Sequence, residues 1–195
     1  MSTLSTTNLK NPSSGSNNVV LNTDGSTTIA APSNIIKSGT FVPSTSGTSI
    51  DFTGIPSWVK RVTVMFNGVR TSGTSALIAQ LGTTSAIATS GYTGGGMYFA
   101  TSAIAGITTI SGIPITGGML AANTFGGLLT IVNITANAWS GSGSIGGGPT
   151  ISAGNAGGFG GGSVTLSGTL ERVRITTVNG TDTFAAGSIN ILYEG

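Results

Sequence analysis

Five carboxylates make up the whole acid inventory of this 195-residue chain: Asp24, Asp51, Glu171, Asp182 and Glu194. There is no histidine and no cysteine, so the Ser-His and Cys-His pairs that activate a nucleophile cannot be assembled. The acid chemistry left is that of paired carboxylates, and glycoside cleavage needs two facing each other across a sugar, roughly 5–10 Å apart. Glu171 and Asp182 fall in one expected hairpin, but Arg172 and Arg174 are equally near, which favours a surface ion cluster or a subunit salt bridge. Scattered acids give a divalent metal no set of hard oxygen ligands, and the lack of cysteine removes disulfides and thiolate sites. The expectation is a non-enzymatic chain with no catalytic residue, metal or cofactor.

Aromatic rings offer a different chemistry, because sugars stack their apolar faces on exposed rings while their hydroxyls bond to Asn, Ser or Thr. Trp139 ends a predicted strand and precedes Ser140-Gly141-Ser142-Gly143, which favours exposure at a loop rim. Tyr92, Tyr98 and Phe159 sit beside glycine clusters and share that expectation. These four are the candidate ligand-binding residues. Trp58 follows Ile55-Pro56-Ser57 and precedes an apolar strand, so it is assigned to packing. The Asn-X-Thr triplets at Asn133 and Asn179 match the glycosylation pattern but fall in a predicted strand and a predicted turn, and are read as chance.

Residues 71 to 170 contain no Asp, Glu, Lys or Arg, against about one charged residue in four for an ordinary globular protein. Ser, Thr, Asn and Gly fill the gap, giving a neutral, hydroxyl-rich surface suited to an exported or particle-bound protein. The seven basic residues do not form a track with interleaved aromatics, and the net charge is only +2, so nucleic acid is not an expected partner. Phe99 to Ala122 is uncharged and mildly apolar, yet Gly106, Gly112, Pro114, Gly117 and Gly118 break it into turns and strands rather than a membrane span. Met1 to Lys10 lacks the basic and apolar regions of a secretory signal.

The elements that must position these residues are short strands. With 33 glycines and recurrent Val, Ile and Leu runs, an all-β class follows. Strands are expected at Thr48 to Phe52, Arg61 to Val69, Ala76 to Leu81, Leu128 to Ala138, Val164 to Leu170, Arg172 to Val178 and Ser188 to Tyr193. Antiparallel connections and no amphipathic helix fit a β-sandwich or jelly roll. Asn179-Gly180 is expected to close a hairpin from Arg172 to Phe184. Gly94 to Gly96, Gly146 to Gly148 and Gly157 to Gly162 are read as loop spacers too flexible for strand interiors.

Two strands carry apolar residues on both faces. Leu129, Ile131 and Trp139 oppose Leu128, Val132, Ile134 and Ala138; Val62, Val64 and Phe66 oppose Met65 and Val69. A sandwich buries one face per strand, so the second face points to a covering loop or a neighbouring subunit, and a homo-oligomer is expected. Residues 1–38 are polar and differ from the β-sandwich domain at 39–195. Asn22-Thr23-Asp24-Gly25 between Val19-Val20-Leu21 and Ser26-Thr27-Thr28-Ile29 is a hairpin signal. A lone hairpin is marginal in water, so this extended segment is read as an anchor docking on another chain.

The stretch from Ser46 to Phe66, with Ile55-Pro56-Ser57-Trp58-Val59-Lys60-Arg61, resembles a segment of tailed-bacteriophage fibre proteins. So does Leu170 to Asp182, followed by Ala186-Gly187-Ser188-Ile189-Asn190-Ile191. Leu9 to Ser14, with Asn18 to Leu21 and Asp24-Gly25, is similar to a segment that often precedes such domains. The resemblance implies a structural protein on the virion exterior, usually a homotrimer. Its N-terminal part would attach to another virion protein and its β domain would face the host surface, a glycan being the expected ligand. Tail fibre and head fibre are both within it. A capsid decoration without a receptor role and a polysaccharide-degrading tailspike stand as alternatives.

Overall fold

The computed structural model describes residues 8–9, 12, 15, 19–29, 36–101, 103–149 and 155–195. Most of the expected anchor, at 1–7, 10–11, 13–14, 16–18 and 30–35, lies outside the described residues. Among the described residues the chain is all-β, with antiparallel pairing throughout and no helix.

Near the N-terminus, β1 (Asn8–Leu9), β2 (Val19–Leu21) and β3 (Thr27–Ile29) form a three-stranded sheet. The expected hairpin at Asp24-Gly25 is present: Leu21 pairs Thr27, Gly25 takes the left-handed conformation at φ 84°, and Asp24 Oδ1 accepts Ser26 N at 2.9 Å. The loop is wider than a two-residue turn, closing with Asn22 N donating to Ser26 O at 2.9 Å.

The larger unit begins with β4 (Lys37–Ser38), β5 (Val42–Pro43), β6 (Ser49–Thr53), β7 (Arg61–Thr71), β8 (Leu77–Gly82), β9 (Thr93–Ala100) and β10 (Ala103–Thr108). It continues with β11 (Ile113–Pro114), β12 (Asn123–Thr135), β13 (Ala138–Pro149), β14 (Ala156–Thr165), β15 (Arg172–Thr177) and β16 (Phe184–Glu194). A nine-stranded sheet runs in the order β10-β9-β14-β13-β12-β7-β16-β4, with β5 also on β16; a four-stranded sheet runs β11-β8-β15-β6. Val62, Val64, Leu129, Ile131, Ile189 and Ile191 from the first sheet and Leu77, Ala79, Leu81, Val173 and Ile175 from the second belong to one core of fully buried side chains. This sandwich-like arrangement matches the expected class.

Four expectations are corrected. The glycine clusters are strand interiors: Gly94 to Gly96 lie in β9, Gly146 to Gly148 in β13 and Gly157 to Gly162 in β14. The cause is a close approach, because Ile113 to Gly118 lies against the inner face of β9 and β14. A Cβ at Gly158 would strike Thr116 Oγ1, and one at Gly160 would strike the carbonyl of Pro114. Gly117 N donates to Met97 O at 3.1 Å, tying this strap to β9.

Arg172 to Phe184 is not a hairpin. β15 pairs with β6 and β8, whereas β16 pairs with β7, so Asn179-Gly180 carries the chain from one sheet to the other. Asn179 Oδ1 accepts Thr181 N at 3.1 Å and Asp182 N at 3.2 Å there.

Val69 does not share a face with Met65; it is fully buried with Val62 and Val64. Gly68 at φ 62° and Gly187 at φ 89° sit where the pairings of β7 and β16 shift register. The bulge turns every later residue of β7 to the opposite face. The strands assigned to Leu128 to Ala138 and Val164 to Leu170 also have different limits: the first turns at Ala136-Asn137, and the second is the end of β14 followed by a loop.

Candidate binding surface

The nine-stranded sheet has one face in the core and one in solvent, and period-two alternation decides which side chains reach each. Along β13, Trp139, Gly141, Gly143, Ile145 and Gly147 point inward, leaving Ser140, Ser142 and Ser144 outside. Along β14, Phe159, Gly161 and Ser163 face out, as do Met97 and Phe99 on β9 and Leu128 and Thr130 on β12. Strand register then sets them in rows. Met97 pairs Phe159, Phe159 pairs Ser144, Ser144 pairs Leu128 and Leu128 pairs Met65. The next row sets Gly161 beside Ser142, Ser142 beside Thr130 and Thr130 beside Thr63. At the end of β14, Thr93 Oγ1 and Ser163 Oγ share a hydrogen bond of 3.0 Å.

Between these rows lies a shallow depression of about 400 Å³, lined by Leu128, Thr130, Ser142, Ser144 and Phe159 with Gly143 and Gly160. Phe159 is 54% exposed, and Leu128, Phe99 and Met97 are exposed beside it. An apolar ring stands beside hydroxyl groups and bare glycine backbone, groups of the kind that stack on and hydrogen-bond to a neutral polyol.

Topology makes this region electrically neutral. Residues 71–170 supply β8 to β14, and in the large sheet five of those strands are neighbours, β10-β9-β14-β13-β12. The sheet charges stand on the other side. Arg61 on β7 and Glu194 on β16 are register partners and form an ion pair, which raises the Arg61 pKa through the hydrogen bond to Glu194. On the four-stranded sheet Arg174 donates to both Asp51 oxygens at 2.7 Å, and this bond raises the Arg174 pKa.

Of the four ring residues singled out by sequence, only Phe159 offers a face to solvent. Trp139 is 4% exposed, Tyr92 1% and Tyr98 7%, all within the core. The expectation of rim exposure fails for these three because their glycine neighbours are strand residues, so alternation sends the rings inward. Trp139 pairs Val164 on the inner face. Tyr92 OH accepts Leu81 N at 2.6 Å and donates to Ala88 O at 3.1 Å. Burial pushes the Tyr92 pKa up to about 12, against the opposing Leu81 backbone bond. Burial also raises Tyr98 and Tyr193. Trp58 packs against the core as expected.

Met97, Leu128, Ser142 and Ser144 were missed as site residues, although Ser140-Gly141-Ser142-Gly143-Ser144 carries the period-two signal of a strand with one polar face. Four of the five acids, Asp24, Asp51, Asp182 and Glu194, have hydrogen-bond or ion-pair partners within the chain. Asp182 accepts Ser75 N at 3.0 Å and Asn179 Nδ2 at 2.7 Å. Arg174 goes to Asp51 and Arg172 to the Thr84 carbonyl, rather than joining Glu171 and Asp182 in a cluster within the chain. Among the described residues no three acids gather as a metal site, and no helix is long and apolar enough to cross a membrane. Comparison with protein-family models, with curated proteins and with solved structures gives no match to this chain.

Proposed function

We propose that this chain is a non-enzymatic, homo-oligomeric fibre protein of a phage particle, and that the neutral half of its large sheet binds an uncharged glycan of the host surface. The observation that carries the glycan reading is the exposed Phe159 ring beside Leu128 and the hydroxyls of Thr130, Ser142 and Ser144. The phage setting rests on the resemblance of Ser46 to Phe66, Leu170 to Asp182 and Ala186 to Ile191 to fibre segments. The small N-terminal sheet, β1 to β3, is the proposed contact to the particle.

A single open depression binds weakly. Linking several copies raises avidity by about 10²–10⁴ without any new contact, which is the use we assign to a three-fold or higher assembly. The test is adsorption of the purified protein to host cells and to their isolated envelope polysaccharide, with Phe159→Ala alongside. Saturable binding that drops at least tenfold in the variant supports the reading. Absence of binding together with stabilised heads identifies a capsid decoration, and release of oligosaccharides identifies a degrading spike; either overturns it.

A further inference from the structure

The two sheets of the larger unit have four edges, and three carry features that discourage strand pairing. The β4/β5 edge has Lys37 and Pro43, β11 is two residues long and ends in Pro114, and β6 holds the Asp51–Arg174 ion pair. The fourth edge, β10, reads Ala-Ile-Ala-Gly-Ile-Thr without charge or proline. Among the described residues it pairs only with β9, and Ile104 is 76% exposed. Thr109 N donates to Gly94 O at 3.2 Å. Continuing that phase through the register Ile107↔Gly96 and Ala105↔Tyr98, the alternation of an antiparallel ladder leaves the backbone groups of Ile104, Gly106 and Thr108 directed at the open edge.

We propose that β10 is an interface between copies of this chain, in which the open edge of one molecule pairs antiparallel with the same edge of a second about a two-fold axis at Gly106. The open groups suit this register: Gly106 meets Gly106 of the second copy, and Ile104 meets Thr108 on the same face, giving roughly six backbone hydrogen bonds. A second copy fits because a strand without charge meets no like-charge repulsion in self-pairing. The join also continues an apolar surface, since Ile104 pairs Phe99 on the outer face and Gly106 pairs Met97. This edge pairing does not depend on the glycan reading.

Mass by light scattering tests it, with circular dichroism confirming strand content. The wild type is expected to contain an even number of chains: a pair of trimers where the three-fold assembly proposed above forms, and a dimer where that assembly alone fails. Ile104→Lys with Thr108→Lys sets lysines opposite each other across the axis and should halve the mass. Ile104→Lys with Thr108→Glu sets opposite charges there and should restore it. Gly106→Cys, in a chain without cysteine, should give a covalent dimer on mild oxidation. A monomeric or isolated trimeric wild type, or a mass unchanged by the double lysine variant, overturns the proposal.

Discussion

Phe159 of β14 stands opposite Met97 of β9 and, on its other side, opposite Ser144 of β13, all on the solvent face of the large sheet. Its ring thereby has an apolar side chain on one side and a hydroxyl on the other. Exposed side chains of this kind add little to folding, so Phe159→Ala should shift stability by less than about 0.5 kcal/mol. A thermal melt of the purified variant checks this, and a cooperative transition near the wild-type midpoint is expected.

Glycines of the same sheet should divide by face. At Gly158 a side chain would meet Thr116 and the Met97 carbonyl, so Gly158→Val should cost about 3 kcal/mol or more, the upper range for overpacking. At Gly146, on the outer face, an added Cβ would have nothing within 4 Å, and φ is not positive. Gly146→Ala should therefore raise stability by about 0.4–1 kcal/mol through the entropy of the unfolded chain. Denaturant midpoints of the two variants should move in opposite directions.

Ala136 turns the chain from β12 into β13 at φ 43°, held by Asn133 Nδ2 donating to Ala136 O at 2.9 Å and Ala138 O at 3.1 Å. A left-handed residue with a Cβ costs about 1–2 kcal/mol. Ala136→Gly should recover about 0.5–1 kcal/mol after the entropy cost of glycine, read as a higher denaturant midpoint at unchanged slope.

Alkali should act through the buried tyrosines. The folded pKa of Tyr92 is raised to about 12, above an unfolded value near 10, so the folded state keeps a proton that the unfolded state loses. The contribution is fully present below about pH 10 and disappears as pH rises through about 12, a loss of roughly 2–3 kcal/mol. Unfolding followed from pH 9 to 12 should show stability falling with pH. Tyr92→Phe should flatten that fall, and should lower stability at neutral pH by about 1–3 kcal/mol because Leu81 N loses its acceptor.

The class of fold was legible because Val62-Val64-Phe66 and Leu129-Ile131 alternate strictly and both runs lie in long strands. The glycine strands were not, since Gly94 to Gly96 and Gly157 to Gly162 have no side chains to show a period. What makes them strands is non-local: the strap through Pro114 and Thr116 needs bare backbone beneath it. Taken as loops, they put Tyr92 and Tyr98 at a rim these rings do not occupy, as the Ser140-Gly141-Ser142-Gly143 run did for Trp139. They also hid the fact that the charge-free half of the sequence forms adjacent strands. Val69 went astray for a related reason, because the bulge at Gly68 depends on its partner Gly187 about 120 residues away, beyond the reach of a local pattern.

The proposed recognition of a neutral glycan by the neutral sheet face is tested by adsorption to host envelope polysaccharide at about 50 and 500 mM salt, where screening of exposed charges differs strongly. Nearly equal affinity is expected at both salt concentrations, with at least a tenfold loss for Phe159→Ala at each. A steep fall with salt, or undiminished adsorption by the variant, would contradict it.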